Sequence, residues 1–126
     1  EKVKQMMLFM NAHAAEKLSV ADIAAAAFCS ERECYRCFRA CLHTTPSEYL
    51  QNIRLQMASQ LLIRTTLSVT KVAQQCGLGS SSYFGAQFRQ HFGCSPTVYR
   101  AKWQDVDTKW HKNDSRTAAP DATMEP

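Results

Sequence analysis

No run of eighteen apolar residues occurs in this chain, and the apolar stretch from Met6 to Met10 is too short to cross a bilayer, so the sequence reads as that of a soluble protein. Nothing at its start has the basic, apolar and small-residue segments of a secretory signal. The first residue is Glu1 rather than Met, so a piece of a longer polypeptide is expected. Gly77-Leu78-Gly79 falls far short of a phosphate-binding loop, and His13, His91 and His111 have no Ser, Cys or Asp arrangement around them that reads as a catalytic triad. Neither an enzyme nor a cofactor is expected. Cysteine is not scarce, with six thiols in 126 residues. They sit inside helical patterns without a secretory signal, which favours reduced thiols and a cytoplasmic setting over a disulfide scaffold.

Acidic residues are the scarcer charge. The formal net charge is +4, but residues 1 to 100 hold 11 Lys and Arg against 6 Asp and Glu, whereas the remaining 26 hold 4 against 5. The folded part is therefore more basic than the total implies, as a surface that approaches phosphates requires. The length suits two small helical cores that share a central element.

What the chain does have is one supersecondary unit written twice. Leu18-Ser19-Val20, Ala24, Phe38-Arg39, Pro46 and Tyr49 return as Leu67-Ser68-Val69, Ala73, Phe88-Arg89, Pro96 and Tyr99. The early matches are offset by 49 and the later ones by 50, which places one extra residue, Gly79, in the turn of the second copy.

Val3, Met7 and Met10, widened by Met6, predict a first helix from about Lys2 to Ala15. Ser19 with Asp22 opens a short second helix whose buried side is Val20, Ile23, Ala24 and Ala27. Ser30 with Glu33 as capping-box partner opens a third, through about Cys41. Thr45-Pro46-Ser47-Glu48 is a strong start signal for a long helix with Tyr49, Leu50, Ile53, Met57, Leu61 and Leu62 on one face, to about Arg64. Such a spacer spans on the order of 27 Å. Val69, Val72 and Ala73 mark the next helix. Ser80 caps the one after, carrying Tyr83, Phe84, Phe88 and Phe92 and ending at Gly93. Ser95-Pro96 starts the last, whose stripe of Tyr99, Trp103, Val106 and Trp110 is read as a lid on the second core in preference to a docking face for a partner protein. Four segments follow: residues 1–45 and 66–112 as two helix-turn-helix units, 46–65 as the linker helix, and 113–126 as a mobile tail.

Phe88-Arg89-Gln90-His91-Phe92-Gly93-Cys94-Ser95-Pro96-Thr97-Val98-Tyr99-Arg100, preceded by Gly77-Leu78-Gly79-Ser80-Ser81-Ser82-Tyr83-Phe84, resembles the C-terminal signature of the AraC/XylS family of bacterial transcription regulators. Phe38-Arg39 and Thr45-Pro46-Ser47-Glu48-Tyr49 are similar to that family's first motif. The resemblance implies an all-α, seven-helix bipartite domain. Its two helix-turn-helix units would offer their second helices to successive major-groove segments, roughly 34 Å apart, of an asymmetric double-stranded promoter site. It also implies a separate effector or dimerisation domain in the full-length protein.

By register with the family, the first recognition helix offers Arg32, Tyr35 and Arg36 to base edges, with Glu31 alongside. An arginine fork on guanine gives roughly 1–3 kcal/mol of discrimination. The matching positions of the second are Ser81, Ser82, Gly85 and Ala86, with Gln87 nearby. The family often has an arginine where Ala86 stands, so the first motif is expected to supply most specificity and the second mainly to grip the backbone. Candidate phosphate contacts are Ser19, Ser30, Ser47, Ser68 and Ser80 at helix starts, with Arg39, Lys71 and Arg89. The serines are helix caps whether or not DNA is present.

Phe28 and His43 stand where glycine commonly fills a turn or a helix end, and their counterparts Gly77 and Gly93 keep it, so the first unit is expected to be strained there. Cys34, Cys37, Cys41 and His43 have the spacing of a zinc cluster, with positions 34, 37 and 41 on one side of a helix, but Cys34 and Cys37 occupy slots where apolar residues pack, and no metal is expected. Phe38, Phe88, Phe92, Tyr49 and Tyr99 read as core. Two rival readings share the fold: a helical protein-interaction module that has lost DNA binding, and an architectural DNA-binding protein without sequence preference.

Overall fold

The computed structural model describes residues 1–104, and among them every regular element is an α-helix. In chain order these are α1 (Lys2–His13), α2 (Val20–Ala26), α3 (Glu31–Leu42), α4 (Pro46–Arg64), α5 (Val69–Gln75) and α6 (Ser81–Phe92). A seventh, α7, begins at Pro96 and is helical to residue 104, giving the expected seven-helix, all-α architecture. The stripe positions Val106 and Trp110, and the segment read as a tail, lie outside the described residues.

All the helices but α1 begin where a short hydroxyl side chain accepts an otherwise unpaired amide. Ser19, Ser30, Thr45, Ser68 and Ser80 each accept from the backbone N–H three residues on, and Ser95 does the same for Val98. Each such cap is worth about 1 kcal/mol. Ser19 with Asp22, and Thr45 with Glu48, form complete capping boxes. The expected box at Ser30 is only half formed: the hydroxyl accepts from the Glu33 amide, but the Glu33 carboxylate lies instead 4.0 Å from Arg36.

Two cores form, and α4 belongs to both. Met6, Met10, Ile23, Cys34, Phe38 and Leu50 anchor the first; Leu55, Leu62, Val72, Leu78, Phe84 and Phe88 anchor the second. Met57 packs against each. The single apolar stripe expected on α4 is therefore two stripes, and it omitted the buried Leu55, Ala58 and Ser59. A helix that serves one core with its first half and another with its second has no single face, so one periodic template averages the two. On α1 the buried line runs through Met6 and Met10, with Val3 and Met7 only half buried, so the stripe is centred on Met6 rather than Met7. Tyr83, placed with the α6 core residues by its spacing, is 50% exposed.

The two turns are equivalent up to one residue. Cys29 N–H donates to the Ala24 carbonyl and Leu78 N–H to the Ala73 carbonyl, so the extra residue of the second turn is Gly79, at φ +78°. Phe28 (φ +55°) and His43 (φ +56°) adopt the left-handed region in place of the glycines at 77 and 93. For residues with a Cβ this costs roughly 1–2 kcal/mol each.

The glycines predict opposite responses to alanine. At Gly77, already at φ +73°, a Cβ would stand 2.9 Å from the Ala15 carbonyl oxygen, so Gly77→Ala is expected to destabilise by about 2–3 kcal/mol. At Gly85, inside α6, a Cβ meets nothing within 4 Å, so Gly85→Ala is expected to stabilise by about 0.5–1 kcal/mol. Urea denaturation checks both, and equal midpoints for the two variants would contradict this account.

Candidate nucleic-acid interface

α3 and α6 each bury one face and present the other. On α3, Cys34 and Phe38 are fully buried, which turns Glu31, Arg32, Tyr35, Arg36 and Arg39 outward along one side. Arg32 has no hydrogen-bond or ion-pair partner among the described residues, and Arg36, its side chain 73% exposed, has only the distant Glu33 carboxylate. The Arg32 guanidinium is thus uncommitted, and that of Arg36, one helical turn on, is held only by the Glu33 carboxylate at 4.0 Å. Tyr35 is 44% exposed beside them.

On α6, Phe84 and Phe88 are buried, and Ser81, Ser82, Ala86 and Arg89 are exposed. Gly85 is half buried against open space. Gln87 is drawn away from the other candidates, because its Oε1 accepts from Gln51 Nε2 of α4 at 3.4 Å. The structure therefore brings together Arg32, Tyr35 and Arg36 on one helix and Ser81, Ser82 and Ala86 on the other, with Gln87 to the side.

Charge divides unevenly between the two halves. Residues 1–48 hold six basic and six acidic side chains, whereas residues 49–104 hold six basic and no acidic ones. Two of the latter six turn inward. Arg54 Nε and Nη2 donate to the carbonyls of Ala14 at 2.7 Å and Glu16 at 2.6 Å, and Arg100 Nε donates to the Leu62 carbonyl at 2.9 Å. Burial pushes the Arg54 pKa down from its ordinary value, with the nearby Tyr83 opposing. Arg64, Lys71, Arg89 and Lys102 remain exposed.

The helix starts differ in the same sense. Ser19 heads a helix whose third residue is Asp22, and that carboxylate already accepts from the Ser19 amide at 2.9 Å. The corresponding start, Ser68, has Lys71 in that place. An anion at the second helix start therefore meets a cation where the first would meet a carboxylate. Ser30 and Ser80 cap α3 and α6, while Ser47 is exposed in the first turn of α4.

Inward-turned polar side chains were the part that spacing could not find. Arg54, Arg100 and Gln104 hold the carbonyl ends of α1 and α4, with Gln104 Nε2 donating to Thr65 at 3.0 Å and Ile63 at 3.2 Å. Their signal in the sequence is only a long polar residue within an otherwise apolar helix face.

The cysteine cluster separates in space. Cys34 is fully buried and Cys37 half buried, whereas Cys41 and His43 face solvent. Among the described residues no group of three His, Cys, Asp or Glu side chains is placed to hold a metal ion. Burial, with smaller contributions from Cys29 and Cys37, pushes the Cys34 thiol up to about 11, and burial alone does the same for Cys76.

Comparison with known proteins places these helices in a wider set. A family model described as a helix-turn-helix domain matches residues 23–102. An uncharacterized HTH-type transcriptional regulator of Bacillus subtilis, YdeC, is 36% identical over 99 residues, which are 79% of this chain and 34% of the relative. The chain thus spans about a third of the length of such curated relatives. Among solved structures, an AraC-type DNA-binding-domain regulator from Chromobacterium violaceum matches with TM-score 0.78 and 36% identity, over 80% of this chain and 90% of that one. The DNA-binding domain of AdpA, solved in complex with a target DNA, matches with TM-score 0.78 and 30% identity, over 84% of this chain and 96% of that one. Among the described residues no helix is long and apolar enough to cross a membrane.

The thiol environments yield a pH-dependent prediction. With pKa values near 11 in the fold against about 8.5 in the unfolded chain, the Cys34 and Cys76 thiols favour folding fully below pH 8.5, and this contribution fades as pH rises towards 11. At pH 8 the native protein is expected to alkylate at Cys41 at least about a hundredfold faster than at either buried thiol, as mass spectrometry of iodoacetamide-treated protein would register. Comparable rates at the three sites would contradict the burial.

Proposed function

The chain belongs to the AraC-type helix-turn-helix family of transcription regulators, and on that premise we propose that it is the DNA-binding domain of a bacterial regulator that recognises double-stranded DNA by sequence. The observation that carries this reading is that both units together, in one arrangement, match a domain solved on its target DNA. That favours a molecule which lays two helices on one duplex over one that has kept the fold for another purpose. One monomer then supplies two different reading helices, so its site is asymmetric. The cytoplasm is where such a regulator meets DNA. RNA polymerase and a separate effector or dimerisation domain complete its expected partners.

In this reading α3 is the principal reader. Arg32 and Arg36, exposed and one turn apart, present forks to guanine edges, with Tyr35 and Glu31 beside them. α6 offers only the hydroxyls of Ser81 and Ser82 and the small surfaces of Gly85 and Ala86, while Gln87 must first leave Gln51. Residues 49–104, which hold no acidic side chain, are suited to the backbone. Lys71 and Arg89, with the hydroxyls and amides at Ser68 and Ser80, act on phosphates from a stretch that contributes no carboxylate of its own. Ser30, Ser47 and Arg39 do so for the first unit, and Ser19 less well because Asp22 occupies its amide.

Selection from a randomised duplex pool, followed by competition against unselected DNA at two salt concentrations, tests the assignment. Arg36→Ala is expected to lose about 1–3 kcal/mol of discrimination at one base pair. Lys71→Ala should weaken all sequences alike and reduce the salt slope by about one. If Ser82→Ala abolished discrimination and Arg36→Ala left it intact, the two arms would exchange roles. A pool that never enriches would favour the interaction-module or architectural reading.

A further inference from the structure

The two units are joined by more than the rod of α4. Gly77, in the second turn, comes so close to the end of α1 that a Cβ there would stand 2.9 Å from the Ala15 carbonyl oxygen and 3.3 Å from Arg54 Nε. Arg54 fills this junction and binds the carbonyls on either side of Ala15, those of Ala14 and Glu16. Three residues earlier on α4, Gln51 Nε2 donates to the Tyr83 hydroxyl at 3.3 Å and to Gln87 Oε1 at 3.4 Å. The end of α1, the first half of α4, the second turn and α6 thus meet in one joint.

This joint is not a requirement of the helix-turn-helix motif. Phe28 occupies in the first turn the place of Gly77 in the second, with the same left-handed backbone, and it is 89% exposed. The Phe28 side chain stands in solvent, whereas Gly77 lies against the end of α1. A glycine is needed only where the units meet.

A single helix fixes the distance between two attached units better than their rotation about it, because a bend or a repacking of one face swings the distal unit. On B-DNA, one base pair changes the direction in which a groove opens by about 34–36°. An unlocked second unit would therefore meet several registers. We propose that the joint sets the register between the two reading helices, with Arg54 and Gln51 as positioning residues that fix how many base pairs separate the two half-sites. The inference rests on the DNA-binding reading above and adds to it a determinant of spacing that touches no base.

Two measurements test it. In the free protein, amide residual dipolar couplings of both units are expected to fit one alignment tensor; in Gln51→Ala and in Arg54→Met, whose folding is checked by circular dichroism, two tensors are expected. On a selected duplex, inserting one base pair between the half-sites should cost the native chain about tenfold or more in affinity. The same insertion should cost either variant only about threefold, with weaker binding to the original spacing because the joint must be ordered on the DNA. Variants that keep one tensor and the full insertion penalty would overturn the proposal. If no duplex is selected, the preceding reading has failed and the couplings alone decide: a single tensor in both variants overturns the joint, and two tensors support it.

Discussion

A helix of 19 residues that must bury side chains in two separate cores sets the terms for everything else in this molecule. Leu50 and Ile53 face the first core, and Leu55, Ala58 and Leu62 face the second. At 100° per residue these two faces are roughly 140° apart around the helix axis. The two units consequently lie on different sides of α4 as well as at different heights along it. Met57, on the first face by angle but further along the helix, packs against both, so the cores are separate clusters without being independent of each other.

The ends of helices impose the second constraint. The last four carbonyls of a helix have no partner within it. In this fold a side chain from the helix that closes each unit supplies one: Arg54 for Ala14 and Glu16, and Gln104 for Ile63 and Thr65. Moving 49 positions along the chain takes the first pair of carbonyls to the second, and moving 50 takes Arg54 to Gln104. The repeat is therefore one of polar end-capping as well as of apolar spacing, although an arginine does in one unit what a glutamine does in the other. A difference of side-chain type hides that equivalence from any reading based on identity.

Much of the fold was legible because its signals are local. Caps at Ser19, Thr45, Ser68 and Ser80 and the proline at position 46 depend on bonds spanning three residues, and the helices start there. The unusual residues at 28 and 43 were legible by comparison with the second copy, and both do adopt left-handed backbone. The sharing of α4 was not, because two short faces on one helix imitate a single broad one. On α3, the exposure of Arg32 and Arg36 follows from the burial of Cys34 and Phe38 on the opposite side. The engagement of Gln87 with Gln51, 36 positions away, depends on tertiary packing and leaves no mark in spacing.

Because α4 closes one unit and opens the next, the architecture has no intrinsic stopping point. Each further copy would need only three new helices, since the fourth is inherited from its predecessor. A chain extended by such a module would grow as a spiral staircase around the duplex, every step carrying its own reader. For a protein engineer, the length of a recognised promoter sequence then becomes a matter of how many modules are strung together, with glycine demanded at each turn except the first.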